Sequence, residues 1–200
     1  MLDHRVNAII HPIMSGLANH IPRQISANTI TLVGFAVGVM VVPLLWLNLY
    51  STAMAVILVN RFFDGLDGAV ARKFGPTNLG GYLDITCDII FYSAVIMGFA
   101  LAAPEKNGLA AAFLIFSFIG TGSSFLAFAA SSVKQGISSY AHGLKAFYYL
   151  GGLTEGTETI LFLVIICMYP EYFPLMAVVF GSICWITVLG RFGSAFILLR

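Results

Sequence analysis

Long apolar runs fill most of the chain, and short stretches rich in polar residues, glycine or proline separate them. A bilayer crossing needs about 20 mostly apolar residues. Windows of that length predict six transmembrane helices, at 28–49, 52–71, 80–102, 109–130, 153–168 and 174–198. Before the first run, apolar residues recur at steps of three and four, which predicts an amphipathic helix over residues 3–20. Its apolar positions are Val6, Ile9, Ile10, Ile13, Met14 and Leu17.

The composition supports an all-α integral membrane protein. Of its 200 residues, 59% are hydrophobic and 10% are charged, whereas soluble domains average about 45–50% and about 25%. A water-soluble globule is therefore excluded, and we expect a single membrane domain over residues 1–200, with an interfacial segment at 1–25. A net charge of +1 provides no general attraction to nucleic acid.

The basic residues predict the orientation. With six spans, both termini share one side of the membrane with the loops at 72–79 and 131–149. That side carries Arg5, Arg23, Arg72, Lys73, Lys134, Lys145 and Arg200, and the other side carries Lys106 alone. Because basic residues concentrate on the cytoplasmic side of membrane proteins, we expect the termini and these two loops to face the cytoplasm.

Four aspartates lie inside the second and third predicted spans. A charged carboxylate at the bilayer centre costs at least about 2.5–3.5 kcal/mol, so such residues usually have a function. Asp64 and Asp67 share one helix face, and Asp84 and Asp88 share another. The short link at 73–79 makes the two helices antiparallel neighbours. The four carboxylates are therefore expected to converge one to two turns below the cytoplasmic surface.

Four clustered carboxylates need neutralisation, because each like-charged pair at about 4 Å costs roughly 4 kcal/mol at an effective dielectric of about 20. Protonation or divalent cations could supply it, and two divalent ions would balance the four charges. Oxygen ligands favour Mg²⁺, Mn²⁺ or Ca²⁺ over zinc. Gly65, Gly68 and Ala71 would let a polyphosphate approach the helix, and Arg72 could pair with a phosphate. Close helix packing and membrane anchoring are the alternative explanations for these residues.

A known family has this pattern. The stretch D-G-L-D-G-A-V-A-R at 64–72, followed by Gly80, Asp84 and Asp88, resembles the signature of the CDP-alcohol phosphotransferases (phosphatidyltransferases), D-x-x-D-G-x-x-A-R then G-x-x-x-D-x-x-x-D. The interval between Arg72 and Gly80 is one residue shorter than in that signature. The resemblance implies an enzyme of phospholipid biosynthesis in the bacterial inner membrane. It would use two Mg²⁺ or Mn²⁺ ions to transfer a phosphatidyl group from CDP-diacylglycerol to an alcohol, release CMP, and form a homodimer.

The resemblance also implies residue roles. Asp64, Asp67, Asp84 and Asp88 would bind the metal ions, and Asp88 would also accept the proton of the acceptor hydroxyl. The implied donor-binding residues are Asn28, Thr31, Gly68, Ala71, Arg72, Thr77 and Gly80. For Asn28 and Thr31, a helix cap and an ordinary span threonine are the structural alternatives. Arg61, one turn before Asp64, is expected to tune the site or pair with a carboxylate.

The acceptor site is expected near the cytoplasmic surface, and its candidates are Lys134, Lys145, Glu155, Glu158 and Arg191. The cations are spread out and two glutamates accompany them. This favours an unphosphorylated acceptor, such as a polyol, inositol or serine, over glycerol 3-phosphate or inositol phosphate. A divalent-cation transporter is the alternative from another class, but it would need acidic residues along the whole membrane depth or an inverted repeat. Small residues at 120–130 could pack within the subunit or form a dimer seam.

Overall fold

The computed structural model describes residues 3–134 and 154–198, and every regular element within these ranges is helical. The helices are α1 (Asp3–Ala18), α2 (Ala27–Val39), α3 (Val41–Trp46), α4 (Tyr50–Phe74), α5 (Asn78–Ala102), α6 (Pro104–Lys134), α7 (Gly156–Met168) and α8 (Phe173–Leu198). A 3-10 turn, Pro170–Tyr172, precedes α8. The predicted all-α class is confirmed.

Four helical segments in the described part of the chain are long and apolar enough to cross a membrane: 27–46, 78–102, 104–132 and 170–197. Helix α4 is 25 residues long, but it carries the motif charges. Helix α7 is apolar but has only 13 residues. These two helices correspond to the second and fifth predicted spans, so the count of six stays a prediction.

The first apolar run is not one continuous helix, which corrects the expectation for 28–49. Helix α2 ends at Val39 and α3 starts at Val41. At the break, the Met40 N–H bonds to the Val37 carbonyl at 3.1 Å. Pro43 lies in the first turn of α3, where a missing N–H breaks no helical hydrogen bond. The proline therefore fits a helix that restarts just before it.

A tight turn connects the two aspartate-bearing helices. Gly75 ends α4 with φ at 106°, a left-handed conformation that favours glycine, and its N–H bonds to the Ala71 carbonyl at 2.9 Å. Thr77 caps α5, because its hydroxyl accepts a 2.9 Å hydrogen bond from the Gly80 N–H. Helix α2 packs against both α4 and α5. These three helices surround the acidic side chains.

Two groups of buried apolar residues include different parts of α4. The larger group contains residues of every helix from α3 through α8, among them Ile57 and Phe99. The smaller group joins α1, α2 and α4 and includes Ala18, Ile30 and Val70. Along α4, Asp64 lies between Ile57 of the larger group and Leu66 of the smaller group, whereas Asp67 lies beside Leu66 within the stretch that belongs to the smaller group.

The small residues of α6 pack within the chain. A Cβ built on Gly120 would lie 3.4 Å from Trp185 and 3.5 Å from Val188 of α8, and one on Gly122 would lie 3.1 Å from Ile89 of α5. Across the same interface, a Cβ on Gly181 of α8 would lie 2.8 Å from Phe113. These glycines allow close helix approach inside the subunit, which was one of the two expectations for this stretch.

Candidate functional site

Three of the predicted metal ligands meet between α4 and α5. One carboxylate oxygen from each of Asp64, Asp67 and Asp84 lies within 4.8 Å of the other two. Asp67 is buried, Asp64 is half-buried and Asp84 is exposed. Three carboxylates around one point are a donor set that suits a hard divalent cation such as Mg²⁺ or Mn²⁺. The residues present therefore fit the metal that the resemblance implies.

Helix α2 positions Asp67 through Thr31. The Thr31 hydroxyl donates a short hydrogen bond to Asp67 Oδ2. Thr31 lies on the same face of α2 as Gly34 and Gly38. A Cβ on Gly34 would lie 2.5 Å from Phe63, and one on Gly38 would lie 2.7 Å from Asn60. These glycines let α4 approach α2 closely enough for the hydroxyl to reach the carboxylate.

Asp88 has different partners from the other three aspartates. Arg61 contacts it with both guanidinium ends, Nη2 to Oδ1 at 2.7 Å and Nη1 to Oδ2 at 3.2 Å. The Tyr92 hydroxyl also donates to Asp88 Oδ2, at 2.9 Å. Arg61 Nη1 lies 3.5 Å from Asp64 Oδ2 as well. The expectation that Arg61 pairs with a carboxylate is confirmed, and the pair bridges α4 and α5.

A cavity of about 650 Å³ opens beside the three clustered aspartates. Its lining comes from α1, α2, α4, α5 and the turn at 75–77. All seven predicted donor-binding residues line it, namely Asn28, Thr31, Gly68, Ala71, Arg72, Thr77 and Gly80. Asp88 does not line this cavity, but all four aspartates line a smaller adjoining pocket, together with Asn60, Arg61 and Cys87.

Two glycines make room for polar groups in this cavity. A Cβ on Gly68 would lie 3.2 Å from Arg72 Nη1, so the guanidinium folds back over the bare glycine along α4. A Cβ on Gly80 would lie 3.0 Å from both Asn28 Oδ1 and Thr77 Oγ1. Side chains at these positions would displace the groups that face the cavity.

The N-terminal segment contributes residues that sequence reasoning missed. His11 and Met14 of α1 and Arg23 of the following loop line the cavity. Met14 packs where a Cβ on Gly65 would lie 3.4 Å from it. The steps of three and four in α1 predict an apolar face but do not show which protein surface that face covers. Met14 was therefore recognised as apolar but not as part of the site.

The acceptor candidates in the described residues lie away from these two cavities. Arg191 Nη1 donates to the Thr121 carbonyl at 2.8 Å, so its guanidinium is inserted against α6. Glu155 is the N-cap residue of α7, and Glu158 lies in the first turn of that helix. None of the three lines the larger or the smaller pocket. The side chain of Lys134 and all of Lys145 fall outside the described residues.

Comparison with known proteins identifies the family. Residues 24–192 match the family model described as CDP-alcohol phosphatidyltransferase. The chain belongs to the CDP-alcohol phosphatidyltransferase family. Its sequence is 49% identical to "Inner membrane protein YnjF" of Escherichia coli (strain K12), over 100% of this chain and 98% of that protein.

More distant relatives of this phosphatidyltransferase match in part or in fold. An archaetidylinositol phosphate synthase of Pyrococcus horikoshii is 33% identical over 78 residues, which cover 38% of this chain and 42% of that protein. The crystal structure of Mycobacterium tuberculosis phosphatidylinositol phosphate synthase (PgsA1) with CDP-DAG bound superposes with a TM-score of 0.64 at 21% identity. It covers 91% of this chain and 92% of that one. The match to PgsA1 shows a shared fold.

Family membership confirms the main expectations from the sequence. The protein is a phosphatidyltransferase of phospholipid biosynthesis, and it is a membrane protein. The family uses divalent metals, and the cluster of Asp64, Asp67 and Asp84 fits such an ion.

Proposed function

We propose that this phosphatidyltransferase moves the phosphatidyl group of CDP-diacylglycerol to the hydroxyl of an unphosphorylated polyol, inositol or serine, and releases CMP. The observation that carries the proposal is the meeting of Asp64, Asp67 and Asp84 beside a cavity of about 650 Å³ that Asn28 and Arg72 also line. The structurally similar PgsA1 has CDP-DAG bound, which supports the same donor here.

The three clustered carboxylates are proposed to hold Mg²⁺ or Mn²⁺ at the donor's pyrophosphate. A bound divalent cation would withdraw charge from the phosphoryl group and stabilise the CMP leaving group. Thr31 keeps one oxygen of Asp67 engaged, which restrains the carboxylate in its orientation toward the cluster. The burial of Asp67, which is 5% exposed, further limits its freedom.

The cavity wall is proposed to bind the nucleotide half of the donor. Gly68 and Ala71 present little side-chain volume, so the pyrophosphate can approach the backbone of α4. Arg72 is placed over Gly68, where its fork of donors could pair with a phosphate in two places. Asn28, Thr77 and Gly80 meet at the start of α5 and offer polar groups to the base or ribose.

Asp88 is proposed to accept the proton of the acceptor hydroxyl. A carboxylate has about four lone-pair positions. Arg61 and Tyr92 occupy three of them, one on Oδ1 and two on Oδ2. The remaining position on Oδ1 would take the proton of an acceptor hydroxyl, whose oxygen would attack the phosphorus attached to the lipid.

The position of Arg191 supports an unphosphorylated acceptor. Arg191 donates to the Thr121 carbonyl and is stacked over Phe125 at 5.5 Å, so it is committed to the contact between α6 and α8. The name of the archaetidylinositol phosphate synthase of Pyrococcus horikoshii supports the alternative, a phosphorylated inositol acceptor.

The membrane arrangement proposed for the single domain at 1–200 has six spans. These are α2 with α3, then α4, α5, α6, α7 and α8, with α1 lying on the cytoplasmic surface. The exposed apolar residues of α1, Ile10, Ile13 and Leu17, suit contact with lipid. The termini and the acidic cluster then face the cytoplasm of the bacterial inner membrane, and we propose a homodimer on the family resemblance.

Release of CMP from CDP-diacylglycerol tests the function. The purified chain in mixed micelles would be given glycerol, inositol or serine, and in parallel glycerol 3-phosphate or inositol phosphate. Asp64→Asn should abolish release, because it removes a proposed metal ligand, whereas Glu105→Gln, in the first turn of α6, should leave it unchanged. Turnover with phosphorylated acceptors alone would contradict the proposed acceptor class. Equal turnover by Asp64→Asn would contradict the site.

A cation transporter, the alternative class, makes the opposite prediction. It requires divalent-cation flux into liposomes that contain the protein, without CMP release from CDP-diacylglycerol. The described acidic cluster is confined to one level, between Asp64, Asp67 and Asp84, and a permeation path would need ligands along the whole depth. We therefore expect CMP release without flux.

A further inference from the structure

Arg61 supplies a positive charge to Asp88 from within the protein. The two side chains form a bidentate pair with a shortest distance of 2.7 Å, and the Arg61 side chain is only 15% exposed. Paired guanidinium and carboxylate groups of this geometry are among the stronger charged contacts in proteins. Asp88 therefore already has the neutralising partner that the other aspartates need.

A buried network holds the guanidinium in this position independently of Asp88. Asn60 Oδ1 accepts from Arg61 Nε at 3.0 Å and from Nη2 at 2.6 Å. The Asn60 amide donates in turn to the Gly34 carbonyl at 2.9 Å, and Asn60 is 4% exposed. The rings of Phe91 and Tyr92 lie 5.1 and 5.4 Å from the guanidinium carbon. Moving Arg61 away would leave a buried amide oxygen without its donors.

The remaining carboxylates lie closer to one another than to Asp88, although all four line the smaller pocket. Asp64, Asp67 and Asp84 bring three oxygens within 4.8 Å of one another, and Asp88 is not part of that group. A second ion bound through both oxygens of Asp88 would have to displace the Arg61 or Tyr92 hydrogen bonds. With Arg61 counted, one divalent ion leaves the four carboxylates a single charge from neutrality, so charge balance does not require a second.

We propose that Arg61 is the resident cation of Asp88 and that the acidic cluster binds one divalent ion, through Asp64, Asp67 and Asp84. This inference rests on the proposed metal site and departs from the two ions that the family resemblance implies. Asp88 is then a proton acceptor rather than a metal ligand. Arg61 and Tyr92 are its positioning residues.

The number of Mn²⁺ ions bound per chain tests the inference without any turnover. Free Mn²⁺ would be followed by electron paramagnetic resonance as the detergent-purified full chain is titrated, with neither donor nor acceptor present. We expect one ion per chain. Asp64→Asn should weaken binding at least about tenfold, as loss of groups at metal sites commonly does. Asp88→Asn should still bind one ion.

Variants at Arg61 identify the reason for the count. Arg61→Gln releases Asp88 and should allow a second ion to bind, whereas Arg61→Lys retains the charge and should stay at one. If Arg61→Gln also binds only one ion, Arg61 is not the reason that the wild type binds one. If Arg61→Gln does not elute as the native species in gel filtration, Asp88→Asn decides the question alone.

The outcomes separate this inference from the proposed function. Two ions per wild-type chain, falling to one in Asp88→Asn, would overturn the single-ion site while leaving the phosphatidyl transfer intact. No bound ion in the wild type would contradict the metal site itself. CMP release, measured separately, would then report whether the reaction still occurs.

Discussion

Four aspartates of the same motif have different surroundings in this phosphatidyltransferase. Asp67 is buried and accepts a hydrogen bond from Thr31. Asp88 is bound by Arg61 and Tyr92, while Asp84 is more exposed and faces the cavity. Because the residue type is constant, these neighbours are what distinguish the three proposed metal ligands from the proposed proton acceptor.

Gly68→Ala is expected to lower CMP release by on the order of tenfold, because small misplacements of binding groups cost rate steeply. The added methyl would lie 3.2 Å from Arg72 Nη1 and push the guanidinium from its position over the glycine. Thermal stability should not fall, since alanine favours a helix over glycine by about 1 kcal/mol. Steady-state kinetics and a melting curve measure the two effects separately.

Gly193→Ala is the matched control for that substitution. Gly193 lies in α8, and a Cβ there would have nothing within 4 Å. It should gain the same helical preference without losing activity. Equal activity in Gly68→Ala and Gly193→Ala would show that the position of Arg72 over Gly68 does not matter for binding.

The sequence predicts the aspartates better than their partners. The spacing of three between Asp64 and Asp67 and of four between Asp84 and Asp88 places each pair on one helix face, and the turn at 75–77 brings the faces together. The Arg61–Asp88 contact joins side chains on different helices and depends on how the helices are rotated and offset. Helical periodicity does not contain that information, so Arg61 could be predicted only to tune or pair.

At the scale of secondary-structure elements, some helices were predicted correctly and other features were missed. The long apolar runs predict α5, α6 and α8 well because length and hydropathy suffice there. The break between α2 and α3 at Met40 was missed, although Pro43 in a helical first turn was its signal. The cavity wall formed by α1 was also missed, since an apolar face can cover either lipid or protein.

Lys73 attaches helix α1 to α4, the helix that carries Asp64 and Asp67. Lys73 Nζ, at the end of α4, donates to the carbonyls of Ala18 and Asn19 at 3.0 and 3.3 Å. A cation beside the carbonyls at a helix C-terminus stabilises the helix. The same helix brings His11 and Met14 to the cavity, so this contact helps hold one wall of the proposed donor site.

Lys73→Met is expected to loosen α1. The loss of a cation at a helix C-terminus costs about 0.3–1 kcal/mol, so amide exchange in α1 should accelerate about two- to fivefold. The KM for CDP-diacylglycerol should rise as the wall becomes less ordered. Hydrogen exchange by mass spectrometry, compared between α1 and α8, measures the first effect.

Lys106→Met provides the control for the lysine at α1. Lys106 also donates to a backbone carbonyl, that of Glu171 at 2.9 Å, but it belongs to the link between α6 and the turn before α8. Its replacement should leave both exchange in α1 and the KM unchanged. Identical exchange in α1 for the wild type and Lys73→Met would contradict the anchoring role.

At the scale of the whole molecule, several basic residues lie at the same end as the proposed active site. Arg23 and Arg72 line the cavity beside the aspartates, and Lys73 holds α1 over the same region. The opposite end has Lys106 on the Glu171 carbonyl. A lipid-linked nucleotide would have its acyl chains in one leaflet and its charged part at that leaflet's surface, so an active site near the surface suits such a donor.

The orientation of the chain can be measured with cysteines introduced at Gln24 and Lys106, both of which are exposed. Because basic residues mark the cytoplasmic side, Lys106→Cys should react with a membrane-impermeant maleimide on intact cells. Gln24→Cys should react only after the membrane is opened. The unsubstituted chain, which contains Cys87, Cys167 and Cys184, sets the background. The reverse pattern would place the acidic cluster on the outer face, away from a cytoplasmic supply of nucleotide-linked donor.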